Sequence, residues 1–296
     1  MSQANHSLND ASKGARVGIL VYLMLSVMKL SAAYVVSSAS LRADGLNNLT
    51  DIISSIVIFI GLHIAKQPAD SDHHYGHSKF EPIASFVTSI IMFTIGLEVL
   101  KSGVERFIAN DFPMPDVMGA WISVISAVIL YMAHRYVKQL AVQANSLGLK
   151  ASAKDMWNDL MVSITTGLSI IGAALGFPQI DTIMSLIVGA IIIKTAYDIF
   201  KESTFTLSDG FDAEELEAYR QLIVKHPKVK RVTNLKGRLC GSQIYVDVTI
   251  EIDGNLTVIE SHHITEDIER ILAYNYGVRD VDVHVEPFWE KNRKGE

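Results

Sequence analysis

The segment at residues 44–65 reads DGLNNLTDIISSIVIFIGLHIA and joins a polar start to a long apolar run. A run of about 20 mostly apolar residues is what a helix needs to cross the hydrocarbon core of a bilayer. Asn47 and Asp51 stand four residues apart, which places both side chains on one face of such a helix. Because an ionisable group inside a membrane span is costly, this pair indicates a function.

Five more apolar segments of similar length lie at residues 17–38, 80–102, 115–137, 154–176 and 181–203. With residues 44–65 they predict six transmembrane helices. The composition agrees, since a 296-residue chain with 49% hydrophobic and 20% charged residues is too apolar for an ordinary soluble domain. The first residues are polar and show no signal-peptide cleavage site. We expect residues 1–16 to be an N-terminal tail and residues 17–208 to form a six-helix transmembrane domain.

Basic residues near the membrane are concentrated on the side that holds both termini. That side has Lys13, Arg16, Lys66, Lys79, Arg135, Lys138, Lys150, Lys154 and Lys201, against Arg42, Lys101 and Arg106 on the other side. The positive-inside rule therefore predicts that both termini are cytoplasmic. The absence of an organelle-targeting presequence favours a multi-pass protein of a bacterial inner (plasma) membrane.

After residue 208 the sequence changes to the alternation typical of a small soluble domain. The pattern predicts a helix over 213–225, strands over 229–239 and 243–252, a helix over 258–274 and a last strand that ends at Pro287. We expect residues 209–296 to form a cytoplasmic α+β domain with the order αββαβ. A domain of about 80 residues buries little surface alone, so we expect it to pair with a second copy in a homodimer.

The fifth apolar segment repeats the spacing of the second, with Asp155 and Asp159 four residues apart. If the two helices face each other, Asn47, Asp51, Asp155 and Asp159 form a four-ligand cage, which we call the membrane ligand set. Its three carboxylates repel one another in a low dielectric unless a cation or protons neutralise them. Oxygen ligands without His or Cys suit a hard or borderline divalent ion, so manganese fits better than zinc or copper.

Three other polar residues of the apolar segments have an open role. Asp44 and Asn48 fit capping, snorkelling or helix contacts as well as ligand binding. Lys29 fits either a partner for a buried acid or a side chain that reaches the membrane interface.

Several classes of protein are excluded or disfavoured. The single cysteine, Cys240, excludes a disulfide framework and a thiolate metal site. A net charge of -6 argues against nucleic acid as a partner. The chain has no HExxH, GxSxG or GxxxxGK[ST] motif, so we expect no enzyme activity, no cofactor and no ATP-driven mechanism.

Four features together resemble the cation diffusion facilitator family: SASLRADGLNNLTD, PADSDHHYGHSKFEP, the paired acids of the fifth helix and the αββαβ tail. The resemblance implies a proton-coupled exporter of divalent metals, with six transmembrane helices and a cytoplasmic metallochaperone-like domain. Zinc-transporting members have aspartate where this chain has Asn47 and histidine where it has Asp155. The chain therefore looks like the manganese branch, without excluding Fe²⁺, Co²⁺, Cd²⁺ or Zn²⁺. Alternating access by a homodimer in a lipid bilayer, with protons as the counter-ion, is the implied mechanism.

The resemblance also implies roles for residues outside the membrane segments. Asp70, His73 and His77, the loop cluster, match a cytoplasmic surface site, although Asp and His at such spacing also fit a solvated loop. Lys79 and Asp209 match a charge pair between the bundle and the tail domain, although surface charge or the positive-inside bias also explains them. His262, His284 and Glu286, the tail cluster, match metal ligands of the cytoplasmic dimer. Thr233 and Thr249 stand where zinc members have two more histidines, so we expect a mononuclear or weaker site.

Two other functional classes stay open from the residues alone. A membrane-anchored metal sensor or scaffold would bind metal in the tail and move no ion, and a channel would move metal without proton exchange. The matched acid pairs on two helices count against the sensor.

Overall fold

The computed structural model describes residues 2–65, 67–143, 147–241 and 243–289. These residues divide into two compact units. The first contains the chain up to Phe59 together with Val87–Phe200, and the second contains Ile60–Phe86 together with the chain from Lys201 onward.

Six long helices precede the tail domain in the described residues. They are α1 Ser2–Val36, α2 Ala39–Ala65, α3 Phe80–Ile108, α4 Met118–Gln143, α5 Leu147–Ala174 and α6 Gln179–Leu207. By length and composition, the described residues contain four membrane-span candidates, at Arg16–Val36, Phe80–Ile108, Met118–Val142 and Gln179–Leu207. The order of elements therefore agrees with the prediction of a helical membrane domain.

Each of the six helices is longer than the apolar segment that predicted it, although not every helix end lies outside its segment. α1 begins at Ser2, so the polar segment before residue 17 is helical in its described part. Only Ser37 and Ser38 separate α1 from α2, whereas the apolar segments placed this break at residues 39–43. Ser37 has a φ of 56°, which turns the chain sharply. Asp181 of α6 then accepts hydrogen bonds from the Ala39 amide, at 2.6 Å, and from the Ser38 hydroxyl, at 2.7 Å. A buried carboxylate at a helix start satisfies free amides, and this explains the early start of α2.

The first unit is held together by two kinds of helix contact. Leu25, Leu130 and Met156, from α1, α4 and α5, are fully buried in one apolar cluster. α3 and α6 approach through glycines, because a Cβ atom on Gly96 would lie 2.7 Å from Ile193 Cγ1. A Cβ atom on Gly103 would lie 2.5 Å from Leu186 Cδ2. Such close approach of two helices favours glycine at both positions.

The tail of the second unit has the predicted αββαβ order. Its elements are α7 Ala213–Val224, β1 Val229–Cys240, β2 Gln243–Asp253, α8 Val258–Tyr276 and β3 Asp280–Phe288. The sheet order is β1-β2-β3, with β1 antiparallel and β3 parallel to β2. Asp212 caps α7, and Thr257 with Glu260 forms a capping box at the start of α8. Tyr219, Ile250, Ile264 and Leu272 lie in its core.

Candidate functional site

The structure brings α2 and α5 together at the membrane ligand set. The side-chain amide of Asn47 donates a hydrogen bond of 2.9 Å to Asp159 Oδ1. Asp159 is buried, with 6% of its surface exposed. Ligand residues that are 112 positions apart in the sequence thus come into contact, as the repeated i, i+4 spacing predicts.

The other two members of the membrane ligand set do not complete a cage in this conformation. Asp51 lies one turn after Asn47, and its Oδ2 is buried without a hydrogen-bond partner in the described part of the chain. Asp155 lies one turn before Asp159 and is exposed. The ligand atoms of Asp51, Asp155 and Asp159 do not all lie within 4.8 Å of one another. The set is therefore partly assembled, with Asn47 and Asp159 in contact.

Tyr22 of α1 is a site residue that the sequence reasoning missed. Its hydroxyl donates a hydrogen bond of 2.7 Å to Asp159 Oδ2, so both oxygens of this carboxylate accept from neutral donors. Tyr22, Ser26 and Lys29 recur at the spacing of one helix face, and all three are buried. That polar stripe in an apolar helix is the signal that would have identified Tyr22.

Lys29 is the centre of a second buried network, which we call the ammonium site. Its Nζ donates to Asp44 Oδ1 at 2.8 Å, to Asn48 Oδ1 at 2.7 Å and to Ser163 Oγ at 2.9 Å. The Ser163 hydroxyl donates to Asp44 Oδ2 at 3.1 Å. All four side chains are fully buried. Lys29 is therefore the partner of a buried acid and does not reach the membrane interface.

The charges of the bundle interior are divided unequally between its acids. Among the lysines and arginines whose side chains the structure describes, Lys29 is the one that is buried. It pairs with Asp44, whereas within the same residues no ion pair includes Asp51, Asp155 or Asp159. These three carboxylates therefore have no counter-charge among the described residues, which is costly for a buried carboxylate such as Asp159.

The loop cluster forms a compact three-ligand arrangement. Asp70 Oδ1 lies 3.2 Å from His73 Nδ1, and Asp70 Oδ2 lies 3.4 Å from His77 Nε2. In the described residues this is the one group of three or more His, Cys, Asp or Glu residues with ligand atoms within 4.8 Å of one another. One carboxylate and two imidazoles leave further coordination positions open to water or another ligand.

Neighbouring backbone groups orient the loop cluster. His77 Nδ1 lies 3.1 Å from the Pro68 carbonyl oxygen, so this ring nitrogen donates and Nε2 faces Asp70. The amides of His73 and Asp72 donate to Asp70 and hold the pKa of that carboxyl below its usual range. Asp70 is therefore an ionised ligand at neutral pH. His74, whose Nε2 contacts the Ser71 carbonyl oxygen, lies outside the cluster.

The charge pair predicted between Lys79 and Asp209 forms in the second unit. Lys79 Nζ lies 3.0 Å from Asp209 Oδ1, and both side chains are about half exposed. The contact is present, and its role in joining the two domains stays a prediction.

The tail cluster does not gather its three residues in one chain. His284 Nε2 lies 3.9 Å from Glu286 Oε1 on β3, whereas His262 Nε2 lies 3.6 Å from Glu266 Oε1 on α8. The histidines are largely exposed. In the described chain, His262, His284 and Glu286 do not lie within 4.8 Å of one another, so this site stays a prediction for the dimer.

Comparison with known proteins assigns both halves of the chain. The cation efflux transmembrane domain matches residues 15–208, and the cytoplasmic domain of cation efflux proteins matches residues 211–288. The chain is 42% identical to the manganese efflux system protein MneS of Bacillus subtilis (strain 168), over 96% of this chain and 98% of that protein. It is 39% identical to the uncharacterized transporter YdbO of the same organism, over 96% and 98%. It is 27% identical to the manganese efflux system protein MneP, also of that organism, over 94% and 97%.

Proposed function

The chain belongs to the cation efflux family, and from that premise we propose that it exports Mn²⁺ from the cytoplasm in exchange for protons. It is a multi-pass membrane transporter with a cytoplasmic C-terminal domain, and it is not an enzyme. The resemblance to the cation diffusion facilitators is thereby confirmed. Two relatives, MneS and MneP, are manganese efflux proteins by name, and this supports Mn²⁺ as the substrate.

One observation carries the proposal: the ligand residues Asn47 of α2 and Asp159 of α5 are in contact, and no ion pair among the described residues neutralises Asp159. Asp51 has a buried oxygen without a donor among the described residues, so it is ready to accept a cation or a proton. An amide oxygen and three carboxylates are ligands that hard divalent ions prefer. This supports Mn²⁺ over Zn²⁺, which binds nitrogen and sulfur ligands more often.

The exchange follows from charge balance at the membrane ligand set. A divalent ion that binds Asp51, Asp155 and Asp159 replaces the protons that neutralise these carboxylates in its absence. Asp159 must also exchange its hydrogen bonds from Tyr22 and Asn47 for the metal. On the outer side, reprotonation of the carboxylates releases the metal. Asn47 carries no proton and therefore contributes geometry and metal preference.

Several finer features belong to the same proposal. We place the protein in a bacterial inner membrane with both termini in the cytoplasm, and we expect two copies to pair through their tail domains. The loop cluster is proposed as a metal site at the cytoplasmic surface, which its ligand spacing of less than 4.8 Å supports. The tail cluster is proposed as a weaker site that the dimer completes.

The direct test is proton flux in proteoliposomes that contain the purified full-length chain. A Mn²⁺ gradient across the membrane should drive proton movement in the opposite direction, which a trapped pH-sensitive dye reports. Asp159→Asn should abolish this signal. The matched control is Asp198→Asn, because Asp198 is an exposed residue of α6 that pairs with Lys194.

Three outcomes separate the mechanisms. Mn²⁺ movement coupled to protons supports the proposal. Mn²⁺ movement without proton flux would identify a channel, and no Mn²⁺ movement in a folded protein would contradict export. Equal loss of flux in Asp159→Asn and Asp198→Asn would remove the assignment of the membrane ligand set.

A further inference from the structure

The ammonium site contains a carboxylate, Asp44, and an ammonium group, Lys29, that have no part in the proposed exchange of Mn²⁺ for protons. Lys29 has three N–H donors, and Asp44, Asn48 and Ser163 supply one oxygen each at 2.7 to 2.9 Å. The ammonium group is thus fully coordinated by oxygen, as a bound cation would be. All of these side chains are inaccessible to solvent.

The ammonium site is built on the same pair of helices as the membrane ligand set. On α2, Asp44 and Asn48 form one i, i+4 pair, and Asn47 and Asp51 form the next. On α5, Ser163 follows Asp159 by one turn. The interface between α2 and α5 therefore offers two neighbouring groups of oxygen ligands, the membrane ligand set and the ammonium site. The ammonium site is the one that holds the Lys29 ammonium group.

We propose that Lys29 is a tethered cation that fills a second cation site between α2 and α5, so that each bundle holds one exchangeable divalent ion and not two. This inference rests on the proposed function, because it assigns the exchangeable ion to the membrane ligand set. Because the ammonium group is covalently attached to α1, its charge stays in place while the transported ion binds and dissociates. Its repulsion acts on a divalent ion one turn away and favours release of that ion.

The alternative is that the Lys29–Asp44 pair only joins α1 to α2. Buried ion pairs of that kind are often replaceable by uncharged residues, and their loss changes stability without creating a metal site. The two explanations differ in the number of metal ions bound when the ammonium group is removed. That number is therefore the quantity to measure.

The experiment counts Mn²⁺ bound per protomer in the full-length chain in lipid nanodiscs, by equilibrium dialysis and metal analysis. Lys29→Met removes the charge and keeps a similar side-chain volume, and it should bind one Mn²⁺ more than the native chain. The matched control is the double variant Lys29→Met/Asp44→Asn, which removes both charges and should bind the native number. Asp159→Asn gives the contribution of the membrane ligand set, and this variant should bind one Mn²⁺ ion per protomer fewer than the native chain.

Asp44→Asn supplies a second measurement that does not depend on the folding of Lys29→Met. It leaves the ammonium group without its counter-charge, so the affinity of the membrane ligand set for Mn²⁺ should fall about tenfold or more. If the Lys29→Met chain does not fold, the Mn²⁺ affinity of the Asp44→Asn chain is the measurement that decides. Asp44→Asn with native affinity would then overturn the proposal.

A folded Lys29→Met chain that binds the native number of Mn²⁺ ions would also overturn it. The count is independent of transport, since it scores bound metal in the absence of a gradient. A native chain that drives no proton flux would contradict the proposed function and leave the count interpretable.

Discussion

The loop cluster and the membrane ligand set are assembled in opposite ways. Asp70, His73 and His77 lie within eight residues of sequence, and their ligand atoms are within 4.8 Å of one another. Asn47 and Asp159 are 112 residues apart on different helices, and Asp159 accepts hydrogen bonds from Asn47 and Tyr22. Each set is partly exposed, since His77 is the buried member of the loop cluster and Asp159 is the buried member of the membrane ligand set.

The difference supports the proposed roles, with metal binding at the loop cluster and transport at the membrane ligand set. A site within one short loop keeps its ligands together whatever the helices do. A site shared by two helices gains and loses ligands when the helices shift, and alternating access requires such a change of affinity. The ligand types also differ, since two imidazoles favour zinc-like ions and an oxygen set favours harder ions.

The largest expected effect separates the two regions by their role in transport. Asp51→Asn removes a ligand whose Oδ2 atom is buried, and it should lower Mn²⁺ uptake by everted vesicles about a hundredfold or more. Loss of a residue that only supports a metal ligand already costs about 10- to 100-fold in metal affinity. Asp70→Asn, the same chemical change in the loop cluster, should leave the maximal uptake rate within about twofold of native. Equal losses in the two variants would contradict the division of roles.

A smaller effect concerns metal binding by the loop cluster. His77→Ala removes one of three ligands and should weaken Zn²⁺ binding at this site about tenfold or more, because water replaces the imidazole. The measurement is calorimetric titration of the full-length chain in an Asp159→Asn background. His74→Ala is the matched control from the same loop and should bind as the background does.

A further prediction tests the hydrogen bonds that hold Asp159. Tyr22→Phe removes one donor that the metal must displace, so the apparent affinity for Mn²⁺ should rise about 3- to 10-fold, the equivalent of one hydrogen bond. Tyr34→Phe is the control, since Tyr34 is on the same helix and is 90% exposed. The dependence of the uptake rate on Mn²⁺ concentration measures the apparent affinity of both variants. A lower affinity in Tyr22→Phe would show that Tyr22 supports the metal instead of competing with it.

The smallest effect is expected at the half-exposed pair of Lys79 and Asp209. A double-mutant cycle with Lys79→Met and Asp209→Asn should give a coupling of less than about 1 kcal/mol in the free energy of unfolding, as for other solvent-exposed pairs. Thermal unfolding of the full-length chain measures it. A coupling of several kcal/mol would show that this contact organises the loop cluster as well.

Much of the fold follows from patterns that are local in the sequence. The αββαβ order and the long helices were predicted, because apolar runs and period-two alternation report burial along each element. Helix ends were predicted less well. The start of α2 at Ala39 depends on Asp181, which lies 142 residues away, and no local signal carries that contact.

The site was predictable where its residues repeat a spacing. Asn47 with Asp51 and Asp155 with Asp159 are visible as i, i+4 pairs, and the contact between Asn47 and Asp159 agrees with their pairing. Tyr22 was missed and Lys29 was left open, because the face that α1 turns toward α2 and α5 is set by packing and not by the composition of α1. The tail cluster is proposed to need a partner chain, which a single sequence does not describe.

The most direct test of the central claim compares Mn²⁺ and Zn²⁺ as drivers of proton flux in proteoliposomes. The native chain should respond more strongly to Mn²⁺, and the double variant Asn47→Asp/Asp155→His should respond more strongly to Zn²⁺. That reversal would show that the membrane ligand set both transports and selects the metal. A native chain that couples neither metal to protons, or a double variant with unchanged preference, would contradict the claim.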